Sequence, residues 1–114
     1  MALQYNLSKV YEISENDNEF ALQIASLFLE EVPFEIQEMK SAIEQKDYSQ
    51  TYASAHKIKP TLDLLGMDMA YEDVLFIIDW TREGGKRKEI KEVFRSLKTR
   101  IGAAADEIKK DFKL

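Results

Sequence analysis

One histidine occurs in the 114 residues, His56, and it sits in the stretch AHKIKPTLDLLG, residues 55–66, with Lys57 and Lys59 close behind it and Pro60 four positions on. A neutral imidazole nitrogen is a nucleophile near physiological pH, because its unperturbed pKa is ~6.5, and histidine forms covalent intermediates. Lys59, one helical turn further, puts an ammonium beside any group attached to that nitrogen. Such an arrangement suits a multiply negative phosphoryl group, which needs charge neutralisation more than covalent help. Other chemistries find less material. The chain has no cysteine, hence neither a disulfide nor a thiolate site, and zinc would have to be held by one histidine and carboxylates. No glycine-rich phosphate loop, serine elbow or H-E-x-x-H pair is present. A shoulder histidine beside a lysine is also what a plain solvated surface supplies, so residue types alone leave both readings open.

The helix that would carry His56 can be placed from its apolar spacing. Tyr48, Tyr52, Ala55, Ile58, Leu62 and Leu65 fall on one face, Asp47 is available as N-cap, and Gly66 is placed to end the helix. With Ala55 at zero and about 100° per residue, Tyr52 lies near +60°, Lys59 near +40°, Asp63 near +80° and His56 near +100°. These four make a continuous stripe on the shoulder between core and solvent, with Lys59 and Asp63 spaced for an i, i+4 pair. Lys57, near +200°, points away from it. Pro60 lacks the N–H that would bond the carbonyl of residue 56, which predicts a bend or widened turn centred on His56, at a cost of ~3 kcal/mol in a helix interior.

The remaining elements are helical too. No run of alternating β-branched residues marks a strand. In NDNEFALQIASLFLEEV, Phe20, Ile24, Leu27 and Phe28 recur at helical spacing behind a cap at Asn16, Asp17 or Asn18. Pro33 is expected to end that helix and to open a second through Ile36, Met39 and Ile43. After the histidine helix, Asp68 is expected to cap MAYEDVLFIIDWTRE, stopped by Gly84-Gly85, and a last helix runs from about Lys86 with Ile90, Val93, Phe94, Leu97, Ile101, Ala104 and Ile108 as its stripe. Leu7, Val10, Tyr11 and Ile13 suggest a short helical lid at the start. Helices with one apolar stripe each must pack together, which predicts an all-α fold: an antiparallel up-and-down four-helix bundle with a short additional N-terminal helix. The breadth of apolar residues on the fourth helix (Val74, Leu75, Phe76, Ile77, Ile78, Trp80) marks it as the best-buried one or as the bearer of a partner patch.

Length fits one domain over residues 1–114. The start MALQYNLSKVYEIS has no basic n-region followed by an apolar run, and no stretch approaches the ~20 apolar residues of a membrane span, so no signal peptide, no membrane and a cytoplasmic location are expected. Net charge is −5 and uneven: residues 1–47 hold ten acids against three lysines, residues 82–100 eight bases against three acids. The bases fall mostly on polar helix positions, with Glu83, Glu89 and Glu92 among them. They read as a solvated face rather than as a nucleic-acid surface.

The combination of Ala55, His56, Lys59 and Gly66 followed by Met67, in an order of short helix, acidic turn, amphipathic helix, proline, second helix, acidic turn and histidine helix, resembles the histidine phosphotransfer (HPt) domains of multistep two-component relays. The likeness covers about residues 7–83. It implies that His56 is the phosphoacceptor, Lys59 its charge partner and Gly66 the helix-ending glycine, and that the protein is not an enzyme with kinase activity of its own. It also implies receiver domains of response regulators or hybrid kinases as partners, no cofactor on this chain, and Mg²⁺ on the partner receiver. Antiparallel pairing of the second and third helices would put Phe34 and Gln37 alongside His56, so that Phe34, Gln37, Lys57 and Pro60 form the docking rim. Pro60 departs from the family, which commonly has glycine there. The chain is expected to be a monomer. Two other classes remain: an adaptor bundle with an idle histidine, and a nucleic-acid or anionic-partner binder using the basic last helix.

Overall fold

The computed structural model describes residues 4–114; residues 1–3, the start of the stretch expected to carry no signal peptide, lie outside the described residues. Five helices follow one another: α1 (Ser8–Ser14), α2 (Asn18–Glu44), α3 (Tyr48–Leu64), α4 (Asp68–Arg82) and α5 (Ile90–Phe112), with no strand among the described residues. The fold is the expected bundle of four long helices with a short N-terminal helix.

Local chemistry sets most of the boundaries. Asp17 caps α2 by accepting from the N–H groups of Glu19 and Phe20 at 2.9 and 3.3 Å. Asp47 caps α3 by accepting from Gln50 N–H at 3.0 Å. Each such cap satisfies a donor that the first turn leaves open and stabilises by ~1 kcal/mol. Gly66 follows α3 at φ +62°, where its missing Cβ also leaves room for Asn6, whose Cβ would lie 2.9 Å from an added methyl. Two expected boundaries differ. Asp68 is the first residue of α4 rather than its cap; Met67 holds the cap position without a side-chain bond, and Asp68 instead puts its charge in the first turn, where the helix dipole favours it. The last helix begins at Ile90, not near Lys86, because Gly84 and Gly85 both take positive φ and residues 86–89 complete the turn.

Pro33 does not end a helix. α2 runs unbroken for 27 residues with Pro33 inside it. A proline in a helix interior costs ~3 kcal/mol, but Phe28 and Val32 before it and Ile36 and Met39 after it are each 3% exposed or less. Burying one such side chain is worth ~1.5–3 kcal/mol, so keeping both halves of the stripe in one register outweighs the lost bond. At ~1.5 Å per residue α2 is about 40 Å long and spans the 43 Å long axis of the molecule.

Consecutive long helices pack side by side, α2 on α3, α3 on α4 and α4 on α5, and α5 closes the ring against α2. Cross-helix contacts give the antiparallel sense: Glu35 meets Lys57, Tyr71 meets Lys59, and Asp73 meets Ser96 and Arg100. Phe28, Met39, Ile58, Leu62, Ile77, Leu97 and Ile108 fill the interior with essentially no exposure. Ahead of α1 the chain crosses one end of the bundle. The Tyr5 hydroxyl donates to Asp111 Oδ2 at 2.6 Å, and Asn6 N–H donates to the Leu65 carbonyl at 2.7 Å. No helix is long and apolar enough to cross a membrane.

Candidate functional site on α3

α3 presents Ala55, Ile58 and Leu62 to the core and His56 to solvent. The ring of His56 stacks on that of Tyr52 one turn earlier, centroids 5.5 Å apart and planes 23° from parallel. That contact restrains the imidazole while leaving it accessible. It follows from the i, i+4 spacing already evident in the stripe.

Lys59 is half-buried and reaches across to α4, where its Nζ lies 5.9 Å from the centroid of the Tyr71 ring. This is cation–π range, an interaction of ~0.5–1 kcal/mol at an open site. The expected Lys59–Asp63 pair is absent. Asp63 instead accepts from Lys9 of α1 at 2.7 Å, and that hydrogen bond raises the pKa of the Lys9 ammonium. α1 packs against α2, and from there the Lys9 side chain reaches Asp63 near the end of α3. Spacing within α3 could not foretell a partner from another helix.

Lys57 turns toward α2 and pairs with Glu35, Nζ to Oε2 3.1 Å, and the hydrogen bond to Glu35 followed by its charge raises the lysine pKa. The Glu35 side chain is only 7% exposed. A carboxylate that deep needs a partner, and Lys57 is therefore committed to the α2–α3 seam. Glu35 does carry a sequence signal: it lies three residues after Val32 and four before Met39, so helical spacing puts its carboxylate on the core face. The pair sets residue 35 of α2 alongside residue 57 of α3. Phe34, Gln37 and Pro60 are all exposed, Phe34 to 60%.

Pro60 does not break the helix: residues from Tyr48 to Leu64 are α-helical throughout, so of the bend or widened turn expected at His56, the widened turn does not form. The His56 carbonyl lacks the N–H partner that residue 60 of a regular helix would supply. Gly66 ends α3, with its N–H donating to the Asp63 carbonyl at 3.1 Å. Among the described residues no group of three or more histidine, cysteine or acidic side chains is placed to hold a metal ion. Chemically the arrangement offers one accessible nitrogen nucleophile stacked on Tyr52 and, three residues along the same helix, an ammonium over the Tyr71 ring of α4. No family model matches the chain, and no curated protein or solved structure is found to be similar to it.

Proposed function

We propose that the protein is a phosphorelay intermediate that carries a phosphoryl group on His56 between aspartates of receiver domains. The observation that supports this most is the position of the chain's only histidine: solvent-facing, mid-helix, ring-stacked on Tyr52 and one turn from Lys59. In the forward step the lone pair of an imidazole nitrogen attacks phosphorus of an aspartyl phosphate. The P–O bond to the aspartyl oxygen breaks, the carboxylate leaves with the bonding pair, and phosphoryl is held on nitrogen. The reverse step passes it to a second aspartate. Little covalent chemistry falls to the protein, whose contribution is positioning and charge neutralisation. Lys59 supplies the charge; Mg²⁺ belongs to the visiting receiver. The exposed Phe34, Gln37 and Pro60 offer a docking rim on α2 and α3, with Lys57 at its seam.

Incubation with a phosphorylated receiver domain tests this. The expected result is transfer of an acid-labile, base-stable label to the wild-type chain and none to His56→Gln. Failure to label with several receivers would favour an adaptor bundle in which the histidine is idle.

A further inference from the structure

A groove of about 690 Å³ opens between the C-terminal end of α2, the end of α4 and the first half of α5. No residue of α3 lines it, so it is separate from His56. Its wall includes the apolar side chains of Ile43, Trp80, Ile90 and Phe94. Cations surround that wall: Lys40 and Lys46 from α2 and the turn after it, Lys88 ahead of α5, and Lys91, Arg95 and Lys98 along it. None of these six makes an ion pair among the described residues, whereas Arg87, a seventh, is engaged by Glu83 at 2.6 Å. Glu44 is the one acid in the lining. The basic segment that the sequence suggests is a solvated face is thus gathered around a concavity. Trp80 adds a second, independent oddity. The residue is 3% exposed, and its Nε1–H is buried with no acceptor among the described residues, a state that costs free energy unless something accepts the bond.

We infer that this groove binds a small amphipathic anion, a carboxylate or phosphate monoester on an apolar body. The volume lies in the range of small-molecule sites, and an apolar wall with a few convergent polar groups is their usual lining. Six uncommitted cations around it select a negative head. Single-stranded nucleic acid fits less well, because it needs exposed aromatic faces on which bases stack, and Trp80 offers almost none. A folded partner would have to place a single apolar anchor into the concavity, while the chain's acidity opposes most acidic surfaces at long range.

Trp80 is the only tryptophan, so its emission reads the groove directly. Titration of the full chain with decanoate below its micellar range should give a saturable change in that emission. Raising salt should weaken the affinity about tenfold, as screening of several charges requires, and so should Arg95→Gln combined with Lys98→Gln. Both positions are exposed, and unchanged far-ultraviolet ellipticity verifies the fold of the variant. Decanol and decyltrimethylammonium should bind weakly or not at all. The inference is overturned if decanoate gives no saturable change, or if the three decyl compounds respond alike. It is equally overturned if only anionic vesicles or an oligonucleotide engage the site, or if the cations instead drive concentration-dependent self-association that the double variant abolishes.

Discussion

The ammonium of Lys59 rests against the Tyr71 ring rather than against an acid. A cation held by ~0.5–1 kcal/mol can be drawn to a phosphoryl group at little cost. Under the relay reading, Lys59→Ala should slow phosphotransfer or shorten the life of phosphohistidine while leaving helicity unchanged. Rates equal to wild type in a rapid-quench assay would remove Lys59 from the mechanism. Lys57 belongs to a different kind of contact. Because Glu35 is nearly sealed, Lys57→Ala leaves a buried carboxylate alone and should lower the thermal midpoint distinctly more than Lys40→Ala. Adding Glu35→Leu to that variant should restore much of the loss, a non-additivity that a double-mutant cycle reads directly. The exposure of His56 was legible in the sequence from its angle on the helix. The true partners of Lys57, Lys59 and Asp63 were not, since each comes from a different helix and depends on how the helices dock.

Between residues and the whole lie the helices, and here propensity and packing compete. Caps at Asp17 and Asp47 and the stop at Gly66 were readable because each acts within a few residues. Pro33 and Pro60 misled for the same reason: local rules price the missing N–H but not the buried stripe on either side. Two glycines let this balance be measured. Gly102 lies inside α5 with open space where a Cβ would go, so Gly102→Ala should raise stability by about 1 kcal/mol through helix propensity alone. Gly66→Ala should do the opposite, because a side chain at φ +62° is strained and the added methyl meets Asn6. Urea unfolding of the two variants should displace the midpoint in opposite directions. A stabilised Gly66→Ala would mean that the turn after α3 relaxes more freely than its geometry implies.

For the molecule as a whole, bundle architecture followed from the spacing of apolar residues, while the crossing of residues 4–7 over one end of the bundle carried no periodic signal to find. That crossing gives a pH signature. Burial first, and then the hydrogen bond to Asp111, raise the Tyr5 phenol well above its ordinary value of 10.0. A raised folded-state pKa means the protonated form is favoured in the folded protein. Its stabilising share is therefore complete below pH ~10 and is lost as pH rises further. Between neutral and strongly alkaline solution the wild-type chain should lose more stability than Tyr5→Phe, as judged by denaturant midpoints at each pH. Parallel loss in both would show that the phenol is not the titrating group. The charge asymmetry is also a property at this scale. It was visible as a count, but only folding gathers Lys40 and Lys46 from the acidic half beside the bases of α5.

The order in which the helices touch has a kinetic consequence. Three of the four interfaces in the ring join neighbours along the chain, linked by turns of only a few residues between α2, α3 and α4 and a slightly longer one before α5. Zipping such hairpins closes small loops, so the search for the native arrangement is short, and helical bundles of this kind fold in microseconds to milliseconds. The associations that must wait for distant parts of the chain to meet include α5 against α2, Asn6 against Leu65, Lys9 against Asp63 and Tyr5 against Asp111. A refolding experiment followed by amide exchange should see the Asn6 N–H, which donates to the Leu65 carbonyl, acquire its protection after the hairpins have formed, which makes the crossing strap the last piece in and the first to fray.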